Sequence, residues 1–238
     1  MPETSKTVSQ SLRLLQALGD GGASVAALSR RLDLHRTVTQ RLLATLREHG
    51  FVHRTADGNY QLGMALVDLA SRVDHPVRRA AQQPMLHLFE QVGETVALTV
   101  REGDDAVSAD QLVVPGRLVR AEYPPGFRHP LDRAAAGRAI LAYAEPATVS
   151  RFVAAAPDGA ALTASLAEVR RAGFAFTINE LSQGAAGLAA PVRNGSGYPV
   201  ASVGIVAPAD RFPEPDRVAG LVTTAAAEIS RALTAQPS

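Results

Sequence analysis

The stretch LHRTVTQRLLATLREHGFVHRTADGNYQLG, residues 34–63, decides how the rest of the chain is read. Leu34, Val38, Leu42, Thr45 and Leu46 recur three or four residues apart, so a helix from residue 36 to residue 49 would turn them inward. Arg36, Thr37, Gln40, Arg41, Ala44 and Arg47 would then face outward. Gly50 stands where a glycine past a helix end belongs. Two short β-prone runs, residues 51–54 and 59–62, flank Thr55-Ala56-Asp57-Gly58, and an Asp-Gly turn between such runs signals a hairpin.

Upstream, Val8, Leu12, Leu15 and Leu18 form one helical stripe that Gly19, Gly21 and Gly22 end. Ser24 stands at an N-cap position, and residues 25–32 read as a short second helix before the tight Asp33-Leu34 connection. Three helices and a hairpin make a winged helix-turn-helix. Downstream, residues 63–73 read as a helix leaving this head, Pro76 interrupts, and residues 77–92 are helical again with a kink or break at Pro84. Beyond lies a mixed pattern. Strands are expected at 95–101, 106–114, 117–122, 188–192 and 200–206, and helices at 131–144, 147–155, 163–172 and 215–235. The expected class is α+β, with a head at 1–63, a linker helix at 64–76 and a larger domain at 77–238.

Composition bounds the function. The chain has 238 residues, enough for a sizeable core, and no cysteine, which excludes disulfides, thiolate metal sites and cysteine nucleophiles. No apolar run reaches membrane-spanning length and no signal-peptide pattern opens the chain, so a cytoplasmic protein is expected. Net charge is +1, but residues 1–73 hold nine basic against six acidic side chains and the remainder fifteen against seventeen. The sign of that asymmetry suits a nucleic-acid-binding head. In a helix-turn-helix the second helix of the pair enters the major groove, so Arg36, Thr37 and Gln40 are candidates for base contact. Arg41, Ser24 and Arg54 are read as phosphate contacts, His35 adds to the helix start, and the Asp57-Gly58 tip reaches toward the backbone or minor groove.

Several pieces in order resemble the IclR family of bacterial transcriptional regulators. They are Ser11-Leu12-Arg13-Leu14-Leu15, Val25-Ala26-Ala27-Leu28-Ser29, the run from Leu34 to Leu46, and Tyr60-Gln61-Leu62-Gly63. Later come Gly126-Phe127-Arg128-His129-Pro130-Leu131, Ala136-Gly137-Arg138-Ala139, Val169-Arg170-Arg171-Ala172-Gly173-Phe174, Glu180 with Gly184, Leu188-Ala189-Ala190-Pro191-Val192 and Gly204-Ile205-Val206-Ala207-Pro208. The resemblance implies a GAF-like α/β effector domain on an antiparallel sheet, homodimers or tetramers, palindromic double-stranded DNA operators, and a small organic effector. It implies an effector lining of Leu118, Ala135, Ala136, Thr177, Ile178, Gly187, Ala189, Gly204 and Val206. Members that bind small carboxylates place hydroxyls on the last strand, where this chain has Gly204 and Val206, and an acidic pair before Glu180 is replaced in part by Thr177, Ile178 and Asn179. An apolar lining of small side chains suits a larger, less polar effector, an aromatic compound for example.

Other signals carry little. His75, His87 and His129 lack metal-ligand spacing, Ser182 has no Gly-x-Ser-x-Gly elbow, and Gly184-Ala185-Ala186-Gly187 lacks the nucleotide fingerprint. Asp104-Asp105 reads as an exposed turn. The expectation is a ligand-responsive repressor without cofactor, metal or catalytic residues. The alternative is a sensor protein or enzyme whose winged helix contacts other proteins.

Overall fold

The computed structural model describes residues 4–73, 75–116 and 121–235. They divide into two compact units between residues 74 and 75.

The first unit runs α1 (Lys6–Leu18), α2 (Val25–Leu32), α3 (Arg36–Glu48), β1 (Val52–Arg54), β2 (Tyr60–Leu62) and α4 (Ala65–Ser71). Each of the first three helices begins on a side chain that accepts from an otherwise orphaned amide. Ser5 takes the N–H of Val8, Ser24 that of Ala27 at 3.2 Å, and the His35 Nδ1 that of Thr37 at 3.3 Å. Asp33 ends α2 in the left-handed region at φ 53°, which makes the α2–α3 connection tight. Leu14, Leu18, Leu28, Leu42, Leu43, Val52 and Tyr60 form the core.

The inward stripe of α3 differs from expectation in one respect. Thr45 is exposed, while Thr39 and Leu43 are buried. The stripe runs through Thr39, Leu42, Leu43 and Leu46, so a threonine does enter the core, but it is Thr39. Its hydroxyl donates to the His35 carbonyl at 3.3 Å and accepts from the Ser29 hydroxyl at 3.0 Å, which satisfies a buried polar group and fastens α2 to α3.

β1 and β2 pair antiparallel with Val52 opposite Leu62, and Ala23 bridges to Tyr60 as a third, one-residue strand. The turn is closed by Thr55 N–H donating to Asn59 O at 2.8 Å, with Gly58 at φ 87°. Gly63 is dictated by contact: a Cβ there would lie 2.1 Å from the Gly50 carbonyl oxygen. α4 buries none of its residues.

The second unit runs α5 (Pro76–Val92), β3 (Thr95–Glu102), β4 (Asp105–Leu112), β5 (Arg128–Pro130), α6 (Ala134–Leu141), α7 (Pro146–Ala155), α8 (Gly159–Ala172), β6 (Ala175–Ile178), β7 (Ala185–Arg193), β8 (Pro199–Pro208), a 3-10 turn (Ala209–Arg211) and α9 (Pro215–Ala235). The strands form one antiparallel sheet in the order β5-β4-β3-β8-β7-β6. Alternation along each strand sorts the side chains. Val96, Leu98, Val100, Leu188, Val203 and Ile205 pack under α5 and α9 with Met85, Leu88, Val222 and Ile229. Against the opposite face, Ala139, Ile140, Leu141, Leu166 and Val169 of α6 and α8 pack with Ala175 and Ala189.

Several local expectations change. α5 passes through Pro84 without a break, the proline itself buried. Residues 117–120 of the expected strand 117–122 lie outside the described residues, and 121–122 form no strand. β5 and β6 are short strands that alternation alone had not marked. Asp104 is exposed, but the Arg151 guanidinium grips it bidentately, and its carboxyl pKa is lowered chiefly by that bond. Among the described residues, no helix is long and apolar enough to cross a membrane.

Candidate functional site

Two sites emerge, one on each unit. On the first, Arg36, Thr37, Gln40, Arg41, Ala44 and Arg47 are all exposed on the outer face of α3. Among the described residues, the Arg36, Arg41 and Arg47 guanidinium groups have no hydrogen-bond or ion-pair partner. Arg31 contrasts with them: it pairs with Asp20 and donates to the Ala17 carbonyl. The ridge on α3 therefore presents positive charge and amide and hydroxyl donors outward, at an N-terminal end where a helix also carries partial positive charge. Ser24 and His35 sit at helix starts with one acceptor engaged in capping. Arg54 lies on the wing and donates to Gly58 O at 3.2 Å, so its charge is held beside the Asp57-Gly58 tip.

On the second unit, a cavity of about 610 Å³, its mouth included, opens between the sheet and α6. Its floor is Ala97, Gly187, Ala189, Gly204 and Val206, one residue pair after another across β3, β8 and β7. Small side chains on this face leave the space open. Ala135, Ala136 and Thr177 also line it, so seven of the nine expected lining positions converge. Ile178 does not. It is 48% exposed, because the pleat that turns Thr177 into the cavity turns its neighbour to the opposite face. Leu118 lies outside the described residues.

Polar groups border the floor at two ends. At one, the first turn of α6 enters with Ala134 at φ 57°, a left-handed conformation costly for a residue with a Cβ. Its N–H is held at 2.8 Å by Glu180, whose other oxygen meets Arg138 at 2.9 Å, and the next amide, of Ala135, donates to the Thr177 hydroxyl at 3.0 Å. Asn179 instead closes its own loop by accepting from Gly184 N–H at 2.6 Å. At the other end stand Ser108, Tyr123, Phe127 and His129. The Ser108 hydroxyl donates to the Tyr123 carbonyl at 2.7 Å, and the Tyr123 and Phe127 rings stack with centroids 5.0 Å apart. Burial chiefly raises the Tyr123 pKa, against a hydrogen bond with Ser182, so its phenol remains protonated near neutrality. Burial chiefly lowers the His129 pKa, opposed by its bond to the Pro130 carbonyl and by Asp105 and Asp132, so its neutral form is favoured.

The aromatic end was not singled out from the sequence. The signal available was the pair of aromatic residues around Pro124-Pro125-Gly126 and a histidine at the next strand. Among the described residues no group of three or more His, Asp or Glu side chains is placed to hold a metal ion.

Comparison with known proteins matches both units to known domains. Residues 7–56 match the model of the IclR helix-turn-helix domain, and residues 70–231 that of the bacterial transcriptional regulator IclR C-terminal domain. The chain is 34% identical over 211 residues to the HTH-type transcriptional regulator Rv1719 of Mycobacterium tuberculosis, covering 84% of this chain and 80% of that protein. It is 31% identical over 252 residues to the HTH-type transcriptional repressor AllR of Klebsiella pneumoniae, covering 98% and 92%. The fold matches the crystal structure of an IclR homologue from Microbacterium hydrocarbonoxydans complexed with 4-hydroxybenzoate, with a TM-score of 0.82 at 23% identity over 96% of this chain and 99% of that one.

Proposed function

The chain belongs to the IclR family of bacterial transcriptional regulators, and from that membership we propose how its two sites work. The first unit reads an operator through α3. Arg36, Thr37 and Gln40 contact base edges, since arginine pairs bidentately with guanine and glutamine with adenine. Arg41, Ser24 and Arg54 hold phosphates, and His35 lies beside them at the helix start. The observation that carries this reading is the row of α3 guanidinium groups with no partner among the described residues.

The second unit binds the effector in the cavity under α6. Its lining is small and apolar along the floor, with the Thr177 hydroxyl at one end and an aromatic cluster at the other. That arrangement supports an aromatic acid, and the Microbacterium homologue complexed with 4-hydroxybenzoate supports it further. Effector binding acts on transcription by favouring one arrangement of the reading heads over another. The domain assignment follows: a head at 1–63, a linker helix at 64–76 and an effector domain at 77–238, in a cytoplasmic repressor.

The reading heads act in pairs. Val8 and Leu12 on α1, and Met64, Val67, Leu69 and Val73 along α4, are apolar and exposed. Apolar surface of that kind on a soluble head is typical of an interaction site. A homodimer, or a tetramer made of two dimers, would place two copies of α3 on a palindromic operator.

The test is DNA binding to the promoter region of the protein's own locus across a salt series, with 4-hydroxybenzoate present and absent. Affinity is expected to fall steeply with salt and to change with the acid. Arg41→Ala is expected to weaken binding to every operator variant alike. Arg36→Ala and Gln40→Ala relax base preference, costing about 1–3 kcal/mol at the base read. Salt-insensitive binding, or equal losses for all three substitutions on all variants, would overturn the assignment.

A further inference from the structure

We propose that His129 selects the effector by accepting a hydrogen bond from a hydroxyl group on it, so that the preferred ligand is a hydroxylated aromatic acid whose hydroxyl lies at the β5 end of the cavity. The inference rests on the cavity being the effector site, and adds which group the effector must carry.

Four observations lead there. The His129 Nδ1 lies 3.0 Å from the Pro130 carbonyl oxygen. A carbonyl only accepts, so Nδ1 carries a proton and, in the neutral ring, Nε2 is left with its lone pair. The side chain lines the cavity and is 8% exposed, yet Nε2 has no partner among the described residues. Nε2 is not fully enclosed either: it keeps some open surface, on a residue that lines the cavity. The neighbouring hydroxyl of Ser108 is already donating to the Tyr123 carbonyl, so it leaves the imidazole without an internal donor.

The ring also has aromatic company. Phe127 lies 6.1 Å from the His129 ring and 5.0 Å from the Tyr123 ring, and is 36% exposed, an uncovered apolar face beside a waiting acceptor. An aromatic ligand covers Phe127 while its hydroxyl reaches Nε2. A plain aromatic acid covers the same surface and leaves the acceptor desolvated and unmatched. A site built to bond a hydroxyl discriminates against analogues that lack one for this reason. A carboxylate at this end fares worse, because it has no proton to offer a lone pair. The α6 end suits the carboxylate: the Thr177 hydroxyl, which accepts from the Ala135 N–H, keeps its own proton to donate, and Arg138 offsets the charge of Glu180 there.

The experiment is calorimetric titration of the full chain with 4-hydroxybenzoate, benzoate and 4-methoxybenzoate, the last keeping the oxygen but not its proton. The native protein is expected to prefer 4-hydroxybenzoate to both others by roughly fivefold to tenfold. His129→Leu should erase that preference, bringing the affinities for 4-hydroxybenzoate and benzoate within about twofold of each other, a range smaller than one net hydrogen bond. His129→Gln, which restores an acceptor, should recover part of it. Thermal unfolding of both variants confirms that they fold, and the glutamine variant decides the matter where leucine does not. Equal affinity of the native protein for the three acids, or a preference that survives in His129→Leu, overturns the role of His129 and leaves the effector class standing. Binding of none of the three removes the aromatic-acid reading, and this inference with it.

Discussion

His129, proposed above to set specificity, also links the cavity to stability. Burial depresses its pKa below the ordinary 6.5, so the folded chain holds it neutral where the unfolded chain protonates it. Above the unfolded value both states are neutral and the residue is silent. As pH falls through that value the unfolded state binds the extra proton, and folding stability is lost progressively toward the depressed folded value. Urea unfolding of the native chain and of His129→Leu between pH 7.5 and 5 should therefore show the native protein losing more stability than the variant as the solution is acidified. Parallel curves for the two would show that the ring is protonated as easily in the fold as out of it. Thr39 illustrates the same scale from the other side. The expected stripe passed it by in favour of Thr45, and its burial is tolerated because Ser29 and the His35 carbonyl satisfy its hydroxyl.

At the scale of elements, two glycines on neighbouring strands answer different needs. A Cβ on Gly204 of β8 would lie 2.3 Å from the Leu188 carbonyl oxygen and 2.7 Å from the Ala189 Cβ, so the strands would have to part. A Cβ on Gly187 of β7 would meet nothing nearer than 3.6 Å and would point at the α6 wall of the cavity. Gly204→Ala is accordingly expected to destabilise the second unit by about 1–3 kcal/mol, in the range of overpacked cores. Gly187→Val should leave the unfolding midpoint close to native and lower affinity for an aromatic acid about tenfold or more, a loss of ~1.4 kcal/mol. Denaturant titration and calorimetry on the two variants separate the outcomes. A destabilised Gly187→Val with unchanged affinity would contradict this assignment of the cavity. The helix elements were easier to foresee. Ser24, the α3 stripe and the glycines after α1 and α3 act within a few residues of one another, and capping and periodicity are local effects.

For the molecule as a whole, the proposed reading of a palindromic operator requires two reading heads. α4 buries nothing of its own, and Val67 is 57% and Leu69 49% exposed. Val67→Glu is expected to shift the protein toward monomer in sedimentation velocity and to weaken operator binding severalfold, with the isolated fold unaffected because the position contacts no core. Two like charges brought face to face across a symmetric contact repel each other. An unchanged oligomer with unchanged operator affinity would place the dimer contact elsewhere.

The order of residues along the chain was enough to establish the winged helix-turn-helix, its outward arginines and the α+β class, because those features depend on side chains three to seven positions apart. Through the family resemblance it also marked most of the cavity floor, Gly187, Ala189, Gly204 and Val206, although Gly204 and Val206 stand where carboxylate-binding members carry hydroxyls. The tertiary structure alone decided that Thr177 faces in and Ile178 out, since the phase of a four-residue strand is set by its pairing with β7. It alone joined Ser108, Tyr123, Phe127 and His129 to the far end of the same cavity. Those residues share a cavity with Thr177 and Gly204 through the strand order β5-β4-β3-β8-β7-β6 and the Tyr123–Ser182 hydrogen bond, long-range pairings that no local pattern encodes.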